Sequence, residues 1–410
     1  MARHSFRVTI VGAAAALFAF AGATQLSGCT TVPAPPQVAR QPAQPLTPPV
    51  APQAPITAAP LTQTPQQAVT AGRAKVALLV PLSGPNKPLG QAMLDAANMA
   101  VFDVSADLAL LPRDTGSTPD GARAAATQAV ADGAGLILGP VFSAAVQPVR
   151  EATSATPTSV ISYSTDATVT GGNVFVMGFL PAGQVERVIG FAKSRGLTKL
   201  VALVPDNAYG VAVTGEINAI KDRLGLQPPR ILTLARDAKA QFADLAADPP
   251  EMLLVALGGD QLQAIAPVLA DYESAHPVQL LGTGLWADDA ALGHTPGLAG
   301  GWYAAPVPDN FANFASRFQQ LYNYRPPRIA TLAYDSVALA TSISRGAADN
   351  PMPFNRDTLI QPNGFIGVDG GFRFLPSGMS ERNLAVLAVS ADGPPTVVDP
   401  PPPSFERLGQ

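Results

Sequence analysis

The sequence predicts an α/β fold of two similar lobes, each a mostly parallel sheet flanked by helices. Three observations lead there. Short apolar runs closed by Gly or Pro alternate with stretches of helical spacing, and this alternation runs through the chain twice. No sharp sequence repeat accompanies the two runs, so they are similar in architecture and do not form a solenoid.

In the first run, Lys75–Val80 is apolar and ends at Pro81, as a strand buried on both faces does. A helix is expected from Leu89 to Phe102 and a strand from Leu108 to Leu111. Thr118 followed by Pro119 marks a helix start, Thr118 as N-cap and Pro119 in the first helical position. Leu136–Leu138 is a strand closed by Gly139-Pro140, Ser143–Ala155 a helix, and Ser159–Ser162 another strand.

In the second run, strands are expected at Leu200–Val204, Ile231–Leu234, Met252–Leu257 and Val278–Leu281, with helices at Tyr209–Leu224, near Ala240, and at Gln261–Tyr272. The end differs: two helices at Phe311–Tyr322 and Ile329–Ser344, then a hairpin at Gly364–Phe374 turning on Asp369-Gly370. A closing strand follows at Leu384–Val389.

The first residues carry a different signal. Arg3 and Arg7 precede an apolar stretch from Val8 to Ala23, and Leu26-Ser27-Gly28-Cys29 follows. That order is a secretory signal, with an apolar run short of the roughly 20 residues of a spanning helix. Residues 1–28 are expected to be removed and Cys29 lipidated, the protein then being periplasmic. Cys29 is also the single cysteine, so the mature body has neither disulfide nor thiol nucleophile. An Asp after the lipidated cysteine retains lipoproteins of Gram-negative bacteria in the inner membrane; Thr30 stands there, which points to the outer membrane. Residues 29–72 are crowded with proline and are expected to form a disordered tether. Extended, they reach on the order of 120 Å at about 3.1 Å per residue.

Composition excludes several functions. A net charge of −4 over 410 residues offers no basic footprint for nucleic acid. No nucleophile elbow, P-loop or paired metal-ligand spacing occurs. Of three histidines, His4 lies in the signal segment, and His276 and His294 sit in loop-like surroundings. Asp114 is expected to fix a loop by local hydrogen bonds, and Asp288-Asp289 to be a solvated acidic loop. No enzyme activity, metal or cofactor is expected.

The order of parts resembles type I periplasmic binding proteins, particularly the leucine/isoleucine/valine branch. Pro81-Leu-Ser-Gly-Pro85 with Gly90 is similar to that branch's first loop, Asp206-Asn-Ala-Tyr-Gly210 to its Tyr-Gly loop, Leu257-Gly-Gly259 to its second-lobe turn, and Gly364–Phe374 to its late hairpin. A closer resemblance, carried by Leu111–Thr115 and Gly133–Ser143, is to the penicillin-binding-protein activator lipoproteins (the LppC/LpoA group). Those are non-enzymatic outer-membrane proteins that stimulate a peptidoglycan synthase. The helical-repeat domain of the enterobacterial members has no counterpart here; the proline tether stands in its place. The resemblance implies a first lobe at 73–179 and 306–350, a second at 180–305 and 351–390, and a proline-rich tail at 391–410.

It also implies a ligand cleft between the lobes at the carboxyl ends of the strands. An amino-acid carboxylate needs backbone N–H groups at a helix start and a hydroxyl; Ser143 offers both, or caps its helix. Ser83 lies in the first loop, and Ser164 and Thr165 either line the same wall or form a turn. Tyr209 matches the position lying against the ligand, or packs. An ammonium group needs a carboxylate, but the expected position falls near Gln263, with Asp260 the nearest acid; a neutral amide there is a poor anchor. Two functions follow: regulation of a peptidoglycan synthase by protein contact, and solute binding for an importer of amino acids or related amides.

Overall fold

The computed structural model describes residues 73–287, 289, 291–346, 350, 352–391 and 393–405. The expected signal segment, Cys29 and the tether lie outside them.

The first lobe is built on five parallel strands, β1 (Ala74–Val80), β2 (Leu108–Asp114), β3 (Leu136–Leu138), β4 (Ser159–Ser162) and β5 (Val174–Val176), in the order β2-β1-β3-β4-β5. Side chains alternate along β1, as strand geometry requires. Val76, Leu78 and Val80 face Met93 and Ala97 of α1 (Lys87–Asp103). Ala77 and Leu79 face α2 (Pro119–Ala131) and α3 (Ser143–Thr153), which supply Ala122, Ala126, Val146 and Val149. Thr118 caps α2 by accepting from the Gly121 N–H at 3.1 Å, with Pro119 in the first turn.

The second lobe repeats the pattern. Strands β6 (Leu200–Val204), β7 (Arg230–Thr233), β8 (Met252–Val255), β9 (Gln279–Gly282) and β10 (Trp302–Ala305) are parallel and ordered β7-β6-β8-β9-β10. On one face lie α4 (Pro181–Ser194) and α5 (Ala208–Ile220), through Val185, Ile189, Val213 and Ile217. On the other lie α6 (Ala238–Leu245) and α7 (Gly259–Ala275), through Phe242, Leu262, Ile265 and Leu269.

The chain passes between the lobes at 177–180 and returns at 306–307. Helices α8 (Pro308–Tyr322) and α9 (Ala330–Gly346) then complete the first lobe: Leu332 and Val337 join its core, and Phe314 and Phe318 pack on Ala92, Ala96 and Met99 of α1. A small antiparallel sheet follows, β11 (Phe365–Gly367), β12 (Gly370–Phe374) and β13 (Ser380–Arg382). After a third passage at 383–384, β14 (Ala385–Ala388) and β15 (Thr396–Asp399) extend the second sheet antiparallel beside β10.

Two boundaries differ from expectation. Residues 352–382, placed in the second lobe by sequence, belong to the first. Phe354, Leu359, Phe372 and Phe374 are buried in its core, and the Phe374 ring lies 5.2 Å from that of Phe175 on β5. The alternation of β12 puts Phe372 and Phe374 on one side, but it does not say which core receives them. The tail, separated from the second lobe by sequence, supplies β15, an exposed to half-buried edge strand of the second sheet. Prolines 394–395 and 400–403 bracket that strand without interrupting its four residues, as an edge strand allows.

Candidate functional site

In both lobes the strand order reverses between the first and third strands, β1 and β3 in one, β6 and β8 in the other. At such a switch point the loops leaving the carboxyl ends diverge and open a crevice. The passages at 177–180 and 306–307 leave from the carboxyl ends of β5 and β10, so these strand ends border the junction between lobes. The two crevices are built alike. A Cβ on Gly90 of α1 would meet the Pro81 carbonyl oxygen at 1.9 Å, and one on Gly210 of α5 would meet that of Pro205 at 2.0 Å. Each glycine lets a helix start hard against the end of the first strand.

On the first wall, Asp114 holds the loop after β1. Its Oδ1 accepts from the N–H groups of Leu82 (2.8 Å), Ser83 (3.1 Å) and Gly116 (2.8 Å). Desolvation pushes the Asp114 carboxyl up, but hydrogen bonds from the Ser83 side chain and these amides outweigh it and hold it below its ordinary value. Ser83 is exposed, its hydroxyl on Asp114 and its carbonyl accepting from Ser117 Oγ at 2.9 Å. Ser143 opens α3 and is exposed; Phe142 occupies the N-cap position and no side chain caps the helix there. Ser164 is buried and forms a turn, its Oγ accepting from the Asp166 N–H at 3.0 Å, while Thr165 is exposed.

On the second wall, the Tyr209 hydroxyl points inward and donates to Thr283 Oγ1 at 2.8 Å. Thr283 is wholly buried, and burial pushes the Tyr209 phenol up to about 12. Asn207 caps α5 by accepting from the N–H groups of Tyr209 and Gly210. Gln184 Oε1 accepts from the Gly284 N–H at 2.8 Å, tying α4 to the loop after β9. Asp260 is exposed in the first turn of α7. Gln263 is exposed on α7, its amide donating within the same lobe to Asp289 Oδ2 and Thr295 Oγ1, both at 2.9 Å.

The structure thus brings Ser83 and Thr165, on loops, and Ser143, at the start of α3, to the first wall, and Tyr209 and Asp260 to the second. Ser164, Tyr209 and Gln263 have their polar atoms engaged within their own lobes.

Beside the junction lies a network that sequence reasoning missed. Arg382, at the end of β13, donates to the Met177 carbonyl oxygen at 2.9 Å, and its guanidinium lies 4.9 Å from the Phe179 ring centre and 5.2 Å from that of Phe372. Asp335 of α9 accepts the Val368 N–H on Oδ1 at 2.7 Å, while Oδ2 is buried without a hydrogen-bond partner among the described residues. Burial pushes the Asp335 carboxyl up to about 7. Asp369 accepts from Arg328 at 2.7 Å and from the Thr331 hydroxyl. The signal for Asp335 was present: a lone acid on the apolar face of a helix. Arg382 gave none, since a β13 of three residues was not foreseen.

A cavity of about 750 Å³ lies between the second-lobe sheet and the α8–α9 loop, bordered by Trp286, Tyr303, Phe311, Arg325, Leu387 and Pro395. Of the residues singled out from the sequence, Asp289 lines it and none of the ligand-cleft candidates does. Among the described residues, no group of three His, Cys, Asp or Glu side chains is placed to hold a metal ion, and no helix is long and apolar enough to cross a membrane.

Comparison with known proteins bears on the whole body. The family model described as periplasmic binding protein matches residues 73–393. A putative branched-chain amino acid ABC transporter from Rhodospirillum rubrum shares the fold with a TM-score of 0.69 at 17% identity, covering 80% of this chain and 100% of that one. The C-domain of LpoA (YraM) from Haemophilus influenzae, a regulator of PBP1A, shares it with a TM-score of 0.63 at 16% identity, covering 79% and 100%. An uncharacterized protein, RP748, from Rickettsia prowazekii (strain Madrid E) is 25% identical over 140 residues, 34% of this chain and 38% of that relative's length.

Proposed function

Starting from a chain that belongs to the periplasmic binding protein family, we propose a non-enzymatic, lipid-anchored periplasmic regulator that acts by protein contact on a peptidoglycan synthase of the penicillin-binding class. One observation carries this reading: the polar groups of the second wall are committed to that lobe. Tyr209 is bonded to Thr283, and Gln263 to Asp289 and Thr295. An amino-acid ammonium inside a cleft needs a desolvated carboxylate partner. Asp260, the acid nearest in sequence, is exposed, where charge pairing is weak.

The shared fold of the LpoA C-domain, whose name gives it as a PBP1A regulator, supports the choice of partner. The expected lipidation at Cys29, the sorting residue Thr30 and the proline-rich stretch up to residue 72 support a body held to the outer membrane and working at a distance from it.

Purified protein immobilised and exposed to envelope extract should retain a peptidoglycan synthase, and titration with free amino acids should give no saturable heat. Failure to retain any synthase, together with micromolar binding of an amino acid, overturns the reading.

A second reading, the solute-binding subunit of an importer of amino acids or amides, is favoured by the start of α3. Exposed Ser143 there stands beside backbone N–H groups that no side chain caps. Loss of amino-acid binding in Ser143→Ala would establish it.

A further inference from the structure

The last described residues leave the second lobe and end on the first. Strand β15 pairs with β14, Val386 opposite Asp399 and Ala388 opposite Thr396, and so belongs to the second-lobe sheet. Arg187 of α4 secures its end: Nη2 donates to Asp399 Oδ2 at 2.6 Å and to the Pro400 carbonyl oxygen at 2.9 Å, and Nε donates to the Leu384 carbonyl oxygen at 2.8 Å. Four prolines follow, Pro400–Pro403. Phe405 then lands on the β11–β12 sheet of the first lobe. The Arg373 guanidinium lies 4.9 Å from its ring centre, and Arg373 Nη1 donates to its carbonyl oxygen at 3.4 Å. Gly364 makes room for the ring: a Cβ there would approach Phe405 Cε2 to 2.8 Å. Glu381 on β13 in turn fixes Arg373, accepting from Nε at 2.7 Å.

We propose that residues 396–405 are a strap that holds the two lobes at one angle. Three short peptide passages join the lobes, the arrangement around which two-domain proteins hinge. Rotation about those passages must pull Phe405 from Arg373 or Asp399 from Arg187, because the segment between them cannot absorb the change. Proline fixes φ, and four prolines extend about 12 Å at about 3.1 Å each as a stiff rod, where a Gly-rich segment would yield. The chain therefore carries, besides the passages, a connection between lobes that is built from side chains and detachable without breaking the core. This inference is independent of the partner proposed above.

The test measures the distance between lobes. Cys29 is the single native cysteine, so full-length protein with Cys29→Ser accepts two spin labels, at Gln147→Cys on α3 and Gln261→Cys on α7, both exposed. Double electron–electron resonance on this parent should give one narrow distance distribution. Phe405→Ala, and a chain lacking residues 394–410, should each give a broader distribution with a shifted centre, whereas Phe405→Tyr, which keeps the stacked ring, should stay narrow. A broad distribution in the parent overturns the strap, as does an unchanged narrow one in Phe405→Ala. Circular dichroism checks that the shortened chain folds; should it not, Phe405→Ala decides alone, since it leaves β15 intact.

Discussion

The hydroxyl of Tyr209, at the start of α5, donates to Thr283 Oγ1 beyond the end of β9, at 2.8 Å. The bond runs beneath the cleft wall and joins the loops after the first and fourth strands of the second lobe. Tyr209→Phe leaves the buried Thr283 hydroxyl without this partner and should cost about 1–2 kcal/mol, the usual penalty for an orphaned buried polar group. Urea denaturation checks the loss. Retention of the synthase should be unchanged, because the hydroxyl faces inward.

Asp114 organises the first loop by accepting three backbone N–H groups. Asp114→Ala should lower stability by about 1–2 kcal/mol after allowance for solvent at this exposed site. It should also raise hydrogen exchange at Leu82, Ser83 and Gly116. Unchanged exchange at those amides would show that the loop is held by other means.

Asp335 gives the pH dependence. Its carboxyl is raised from 3.8 to about 7 by burial, against the Val368 N–H and Arg382 and with Asp369 beside it. Between these values the folded state binds a proton that the unfolded state does not. The contribution is therefore fully present below the unfolded value and lost as pH rises through the folded one. Asp335→Asn keeps an acceptor for Val368 and cannot ionise. The melting temperature of the wild type should fall relative to Asp335→Asn between about pH 4 and pH 8; parallel curves would exclude the shift.

Two glycines should respond oppositely to Ala. Gly90→Ala places a Cβ 1.9 Å from the Pro81 carbonyl oxygen and should destabilise by about 1–3 kcal/mol. Gly190→Ala, inside α4 with no heavy atom within 4 Å of the added Cβ, should stabilise by about 0.5–1 kcal/mol. Thermal melts of the two variants side by side make the comparison.

The alternation of strands and helices was legible because buried strands are short apolar runs, several of them closed by Gly or Pro. β1, β3 and β6 are found where that pattern places them. β5 and β10 are no shorter than β3 and β4, and each is an apolar run with Gly178 or Pro306 close behind it, so they carried the same signal without being recognised. α4 carried a usable signal, Pro181 in its first turn and Val185, Val188, Ile189 and Ala192 at helical spacing, and was nonetheless passed over. The hairpin was found but assigned to the wrong lobe, since Phe372 and Phe374 are equally apolar against either core. At the site, residue type was readable and direction was not. Gln263 sits one turn into α7 as counted, but only three dimensions show its amide bonded to Asp289 and Thr295.

The three passages between lobes have a consequence for how the chain comes to be folded. The first core contains Val76, near the start of the body, together with Val337 and Phe372, near its end. A ribosome adding about 5–20 residues per second needs on the order of 15–60 s to make the stretch between Val76 and Phe372. Once β2 and β3 are made β1 has neighbours to pair with, and Met93 and Ala97 of α1 meet its core face, but the side chains that α9 and β12 bring to that core are still missing. Native closure is thereby postponed until nearly the whole polypeptide exists, which leaves a nascent chain of this kind long available to a translocase or holdase before it locks.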